Sequence, residues 1–299
     1  MKRPCQIDFD TQGDDYFSMV SSPETSSGQA IWQMKTNYNH MKNMMKKISL
    51  LAVAVLFSGW LTAQEKADMV TDRPDQTESA TIVSLKGFQI ESGFSFEKYN
   101  SEINNTTYNS TLVRYGLLEK IELRLGLAYL GTNVSLDGGS FDESGFAPIV
   151  VGAKFQLQEE SERLPKLAIM TTFTLPKTGA SVYENKYLGA DFRVNGEYSL
   201  NEAMSLGCNL GVAWSGAEGS NTAVGIYTAV IGMSLSEKLG AFAELYGFLP
   251  KEGKNDHRWD AGMTYSVNDD LQLDFATGIG LSKVSPDFFI SLGLSIRMP

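Results

Sequence analysis

The stretch Ile121-Glu122-Leu123-Arg124-Leu125-Gly126-Leu127-Ala128-Tyr129 alternates without a break. Its odd positions are all apolar, and its even positions are Glu, Arg, Gly and Ala. A strand sends successive side chains to opposite faces, so a period of two marks a strand between two different surroundings. Leu271-Gln272-Leu273-Asp274-Phe275-Ala276-Thr277-Gly278-Ile279 repeats the scheme, and residues 288–297 put Phe288, Ile290, Leu292, Leu294 and Ile296 on one face.

Outward from these three stretches, about twelve alternating segments cover the chain after Gly87. They fall at 87–98, 107–117, 121–131, 146–157, 167–175, 188–199, 203–214, 222–235, 239–248, 257–267, 271–281 and 288–297. Most have the roughly nine to eleven residues that a tilted strand needs to cross a bilayer. Four links are tight polar turns between apolar residues, such as Leu117-Leu118-Glu119-Lys120-Ile121 and Val267-Asn268-Asp269-Asp270-Leu271. The intervening links, at 100–106, 132–144, 176–187, 215–221, 249–256 and 282–287, are mostly longer and polar. Short turns at one end and long loops at the other characterise outer-membrane barrels, whereas a soluble sandwich has no reason for the asymmetry. Link 158–166 departs from the rule by being long on the short side. Trp214, Trp259 and Tyr129 fall near one end of their strands and Tyr115, Tyr198 and Tyr265 near the other, as two interfacial girdles require.

The second parity carries the charges. A basic group near the bilayer midplane costs roughly 2–4 kcal/mol, so this face must turn to an enclosed interior. Glu91, Arg114, Arg124, Lys154, Arg193, Glu244, Arg258 and Asp274 are the candidate lumen-lining residues, acting by charge pairing and by setting pore polarity. The expectation is an all-β fold: an antiparallel transmembrane β-barrel of about 12 strands with short periplasmic turns and longer extracellular loops. Eight strands are just filled by side chains and sixteen to eighteen leave an aqueous channel, so about twelve imply a narrow or plugged pore.

Met41-Lys42-Asn43-Met44-Met45-Lys46-Lys47, the apolar run 48–61 and Leu61-Thr62-Ala63 before Gln64 read as a signal peptide. The organisation expected is a mis-assigned N-terminal extension at 1–40, a signal peptide at 41–63, a periplasmic N-terminal segment at 64–86 and a barrel at 87–299. The destination is the outer membrane of a Gram-negative bacterium. Its partners are then outer-membrane lipid, the barrel assembly machinery and a small-molecule solute. A net charge of −10 argues against nucleic acid.

An enzyme is not expected. After residue 63 there is one histidine, His257, beside Asp256 and near Ser266, and a lone histidine at a strand's rim is ordinarily solvated. Hydrolysis needs a nucleophile and base in contact. One His and one Cys (Cys208) cannot supply a zinc site, and no glycine-rich phosphate loop precedes a helix, so no cofactor and no metal are expected.

Val70-Thr71-Asp72-Arg73-Pro74-Asp75-Gln76-Thr77-Glu78-Ser79, followed by Gly87-Phe88-Gln89-Ile90-Glu91, resembles the start of the transporter-like outer-membrane family named for the MetA pathway of phenol degradation. Leu175-Pro176-Lys177-Thr178-Gly179, Phe242-Ala243-Glu244-Leu245-Tyr246-Gly247 and Arg258-Trp259-Asp260-Ala261-Gly262 extend the likeness. It covers about residues 70–297 and implies a barrel, uptake of hydrophobic or aromatic small molecules, and no catalytic residues. The function expected is a passive outer-membrane channel or transporter; the alternative is a closed structural or adhesive barrel acting through its extracellular loops. Asp72, Arg73, Asp75 and Glu78 precede the first strand and form a candidate plug, folding back to pair with lumen charges.

Overall fold

The computed structural model describes residues 69–100, 102–136, 139–219 and 221–298. The extension and signal peptide expected at 1–63 lie outside the described residues. Thirteen strands follow in order: β1 (Phe88–Tyr99), β2 (Ile103–Leu118), β3 (Ile121–Leu136), β4 (Gly139–Phe146), β5 (Val150–Gln158), β6 (Lys166–Thr174), β7 (Gly189–Asn201), β8 (Met204–Trp214), β9 (Val224–Ser234), β10 (Leu239–Pro250), β11 (Asp256–Asn268), β12 (Leu271–Gly280) and β13 (Phe288–Met298).

All pairings between them are antiparallel, and β1 bonds to both β2 and β13. Consecutive strands pair around the sheet, and β2 with β3 completes the ring. The ring of strands is therefore closed, which is what a lipid solvent demands of backbone donors and acceptors, and β4 bonds to β3 alone. Strands β4 and β5 both pair with β3: β5 covers Ile121 to Gly126, and β4 covers Tyr129 to Leu136. They share one place in the ring, interrupted at residues 147–149, so the barrel has twelve strand positions.

Two links expected to be long loops are shorter. Strand β2 already begins at Ile103, and the 132–144 region is a paired hairpin, with Val134 opposite Phe141 and Asn133 opposite Asp142. That hairpin extends past the alternating stretch, and residues 180–183 cover part of it, Tyr183 donating to Thr132 and to Glu143 O. Its residues keep no strict period, so the pairing is invisible in the sequence.

Burial is inverted relative to a soluble domain. On β3, Glu122 is 0% and Arg124 6% exposed, while Leu123, Leu125 and Leu127 are 41%, 36% and 43% exposed. The same holds on β12, where Gln272 and Asp274 are buried and Leu273 and Phe275 are exposed. Exposed Trp259, Tyr115 and Tyr265 join this outer apolar surface. An apolar belt of this extent belongs against hydrocarbon.

A charge on that belt has no partner. Leu125→Arg, on the outward face of β3 where it pairs with β5, should lower folding stability in bilayers by about 2–4 kcal/mol. Urea titration of folding into lipid vesicles measures this, and an unchanged midpoint would mean Leu125 does not face lipid.

Candidate functional site

The inward positions of the barrel meet the segment Val70 to Leu85, which circles inside the wall before β1 begins. Backbone groups start the attachment. Val70 O accepts from Gln89 Nε2 at 2.9 Å and from Arg114 Nη1 at 3.1 Å, and Asp72 N donates to Glu91 at 2.9 Å. At the far end, Val83 N donates to Glu122 at 2.8 Å and Lys86 N to Gly116 O at 2.7 Å.

Asp72 is the centre of a buried ion cluster. Its carboxylate lies 2.6 Å from Arg124 Nη1, 3.0 Å from Lys154 Nζ and 3.3 Å from Arg114 Nη1. Arg114 also pairs with Glu91 at 2.8 Å and Glu122 at 2.9 Å, and Arg124 reaches Glu78 at 2.7 Å. Burial opposes the charge of Asp72. The fields of Arg114, Lys154 and Arg124 outweigh it and hold the carboxyl well below the usual range. Desolvating each ion costs several kcal/mol, repaid only where every charge has close partners, as here.

Arg73 forms a second anchor. It pairs with Asp274 at 3.0 Å and donates to Ser291 at 3.0 Å. Its guanidinium lies over Gly93 and Gly293, which face each other across β1 and β13. A Cβ at either glycine would strike the guanidinium. These two glycines are the notch that seats Arg73.

The rest of the segment is held by neutral or singly charged hydrogen bonds. Gln76 N donates to Glu244 at 2.8 Å, and the Thr77 hydroxyl lies 2.6 Å from that of Thr228. Glu78 N donates to Asn209 at 2.7 Å, and Asn209 Nδ2 donates back to Glu78 O at 2.9 Å. Ser79 O accepts from Lys154 at 2.8 Å, and Lys166 donates to the Thr81 hydroxyl at 2.9 Å.

Of the candidate lumen residues, Glu91, Arg114, Arg124 and Lys154 gather around Asp72, Asp274 meets Arg73, and Glu244 meets Gln76 and Thr77. Arg193 pairs chiefly with Asp191 at 2.8 Å. Arg258 stands apart from the segment, held by Asp256 at 2.7 Å, Glu97 at 3.2 Å and the Tyr99 hydroxyl. Of the candidate plug residues, Asp72, Arg73 and Glu78 meet opposite charges. Asp75 does not: among the described residues no basic group lies within 4.0 Å of it. Burial, and then the charge of nearby Glu244, push its carboxyl well above the usual range. Glu122, Asn195 and Asn209 also belong to the site. The inward parity of β3, β7 and β8 already marks them, but Asn195 and Asn209 carry no charge to draw notice. Thr77 and Thr228 leave no sequence signal beyond polarity.

His257 is not simply solvated: its Nδ1 lies 2.7 Å from the Tyr227 hydroxyl, and its backbone N donates to Ser282. Among the described residues no three His, Cys, Asp or Glu side chains are placed to hold a metal.

The family model described as "Putative MetA-pathway of phenol degradation" matches residues 71–298. No curated protein matches. Among solved structures, the chain is similar to an outer membrane channel from Pseudomonas putida F1, at 13% identity and a TM-score of 0.57, covering 80% of this chain and 100% of that one. It is also similar to the NanC porin, at 8% identity and a TM-score of 0.48, covering 70% and 98%. At 13% identity the likeness to the Pseudomonas putida channel concerns the fold.

Removing the hub carboxylate leaves three buried cations short of a partner, at a cost of about 3–5 kcal/mol for a broken buried pair. Asp72→Ala should therefore free residues 70–83 to added protease while the barrel stays resistant. Because the folded carboxyl titrates far below its unfolded value, the hub's stabilisation is present above the unfolded value and fades only as pH falls through the depressed folded one. Wild type should thus resist cleavage from neutral pH down into the ordinary carboxylate range. Cleavage of wild type at pH 5 at the mutant's rate would contradict this.

Proposed function

We propose, since this chain belongs to the family described as the putative MetA-pathway of phenol degradation, that it is a passive outer-membrane channel for small hydrophobic or aromatic molecules, with residues 70–83 as its plug. The observation that carries the reading is a closed apolar-walled barrel whose polar interior is occupied by a segment of its own chain. A barrel of about twelve strands has more lumen than its own side chains fill. The segment takes up that space through contacts that can be exchanged for water and solute. The buried charges set its resting position, and the inward residues Glu91, Arg114, Arg124, Lys154, Arg193, Glu244, Arg258 and Asp274 set the polarity met by a solute. The family description supports an aromatic solute; the lumen supports only that it be small.

The reading as a closed structural or adhesive barrel differs in one observable. A channel lets small uncharged solutes swell liposomes, and a closed barrel does not. Deleting residues 65–80 should raise both the swelling rate and the single-channel conductance, since the lumen then lacks its obstruction. Equal conductance with and without these residues would rule out the plug, and no swelling by either protein would rule out the channel.

A further inference from the structure

The segment does not grip the barrel evenly. On the β1–β5 side it is fixed by ion pairs through Asp72, and on β12 by Arg73 with Asp274. Glu78, through Arg124, begins the next fixed stretch. Between these anchors, residues 74–77 form a short arm across the opposite wall, held to β9 and β10 by Gln76 N on Glu244 and by Thr77 at Thr228 and Glu244. Such hydrogen bonds are weaker than the buried ion pairs at either end.

Beside the segment lies a cavity of about 360 Å³, lined by segment residues within 70–79, Pro74, Asp75 and Thr77 among them, and by β7 to β11 with the β7–β8 turn at Glu202. Its size falls in the range of about 300–1,000 Å³ that accommodates small ligands. The wall is cleared by small residues, Gly207, Gly232 and Gly240 among them. Its apolar lining includes Phe242 and Val230, which cluster with Ala276 of β12, and Met204 and Met233. The Phe242 ring lies over Gly262, where a Cβ would strike it.

The arm's own seat is acidic. Glu244 and Asp260 sit directly opposite one another across β10 and β11, each 1% exposed, and Asp75, next to the Gln76 that bonds Glu244, lies within the field of both. Asp260 Oδ1 has no hydrogen-bond partner. Among the described residues none of the three carboxyls has a basic group within 4.0 Å. Arg73 is the basic residue among those lining the cavity, and it is occupied by Asp274.

We propose that solutes pass the plug on the β8–β10 side, between arm 74–77 and the wall, while the Asp72 hub stays in place, and that this route admits neutral or cationic molecules bearing an apolar face and turns back anions. The proposal rests on the channel reading above. Opening requires that the arm lift off Glu244 and Thr228 and that Gln76 O leave Arg193 Nη1, 3.5 Å away; no buried ion pair is broken. Phe242 and Val230 then present an apolar strip, with Glu244 and Asp260 beside it.

Planar-bilayer recording of the full chain tests the route. In a Cys5→Ser, Cys208→Ser background, Thr77→Cys and Thr228→Cys place two thiols where hydroxyls lie 2.6 Å apart, close enough for a disulfide. The oxidised protein should lose its open level and the reduced protein regain it. An oxidised protein conducting like the reduced one overturns the route without touching the channel reading. Silence of wild type under all conditions fells both. Selectivity needs no cross-link: under a KCl gradient, wild type should show a cation-selective reversal potential, and Glu244→Gln with Asp260→Asn should shift it toward zero. An anion-selective wild type, or a reversal potential unmoved by the two substitutions, overturns the acidic route.

Discussion

Charge that water cannot reach has to be neutralised by charge, and the Asp72 cluster is where this barrel meets that demand. Arg114 and Lys154 are fully buried, each on a wall whose other face is apolar. Arg124 is nearly so. Neighbouring acids on the wall, Glu91 and Glu122, satisfy part of the requirement. The remainder comes from a chain segment outside the sheet, through Asp72 and Glu78. The wall and the segment are thus electrostatically incomplete without each other. This ties the position of residues 70–83 to the same alternation that makes the strands.

The consequence is an uneven interior. Cations concentrate on β2, β3 and β5, and the acids without basic partners concentrate on β10 and β11. A segment carrying Asp72 and Glu78 is drawn to the first region and has only hydrogen bonds to offer the second. Glycines on the inward face complete the fit where the segment or a ring comes close: Gly93 and Gly293 admit Arg73, and Gly262 admits Phe242. Side-chain size and charge therefore divide the lumen into an anchored part and a yielding part.

The fold was legible in the sequence wherever a strand separates two environments. Ile121 to Tyr129 and Leu271 to Ile279 show which face meets lipid, and all twelve strand positions coincide with an alternating segment. Legibility ended where the alternation stops, as in the hairpin of Val134 and Phe141. It also ended where contact depends on three dimensions. Parity identifies Arg114, Arg124 and Lys154 as inward-facing, but not that they converge on one carboxylate. Asp75 shows the limit most clearly: it is an aspartate like Asp72, yet it lies in the field of Glu244 and Asp260, because position along the arm rather than residue type decides its neighbours.

The convergence on Asp72 can be observed directly. Solid-state NMR of the protein in lipid bilayers, with the aspartate carboxyl carbons labelled with 13C and the arginine and lysine side-chain nitrogens with 15N, reports short carbon–nitrogen distances by dipolar dephasing. The account predicts strong dephasing of the Asp72 carboxyl by both arginine and lysine nitrogens, in keeping with contacts of 2.6 to 3.3 Å. An Asp72 carboxyl that neither nitrogen type dephases would contradict it.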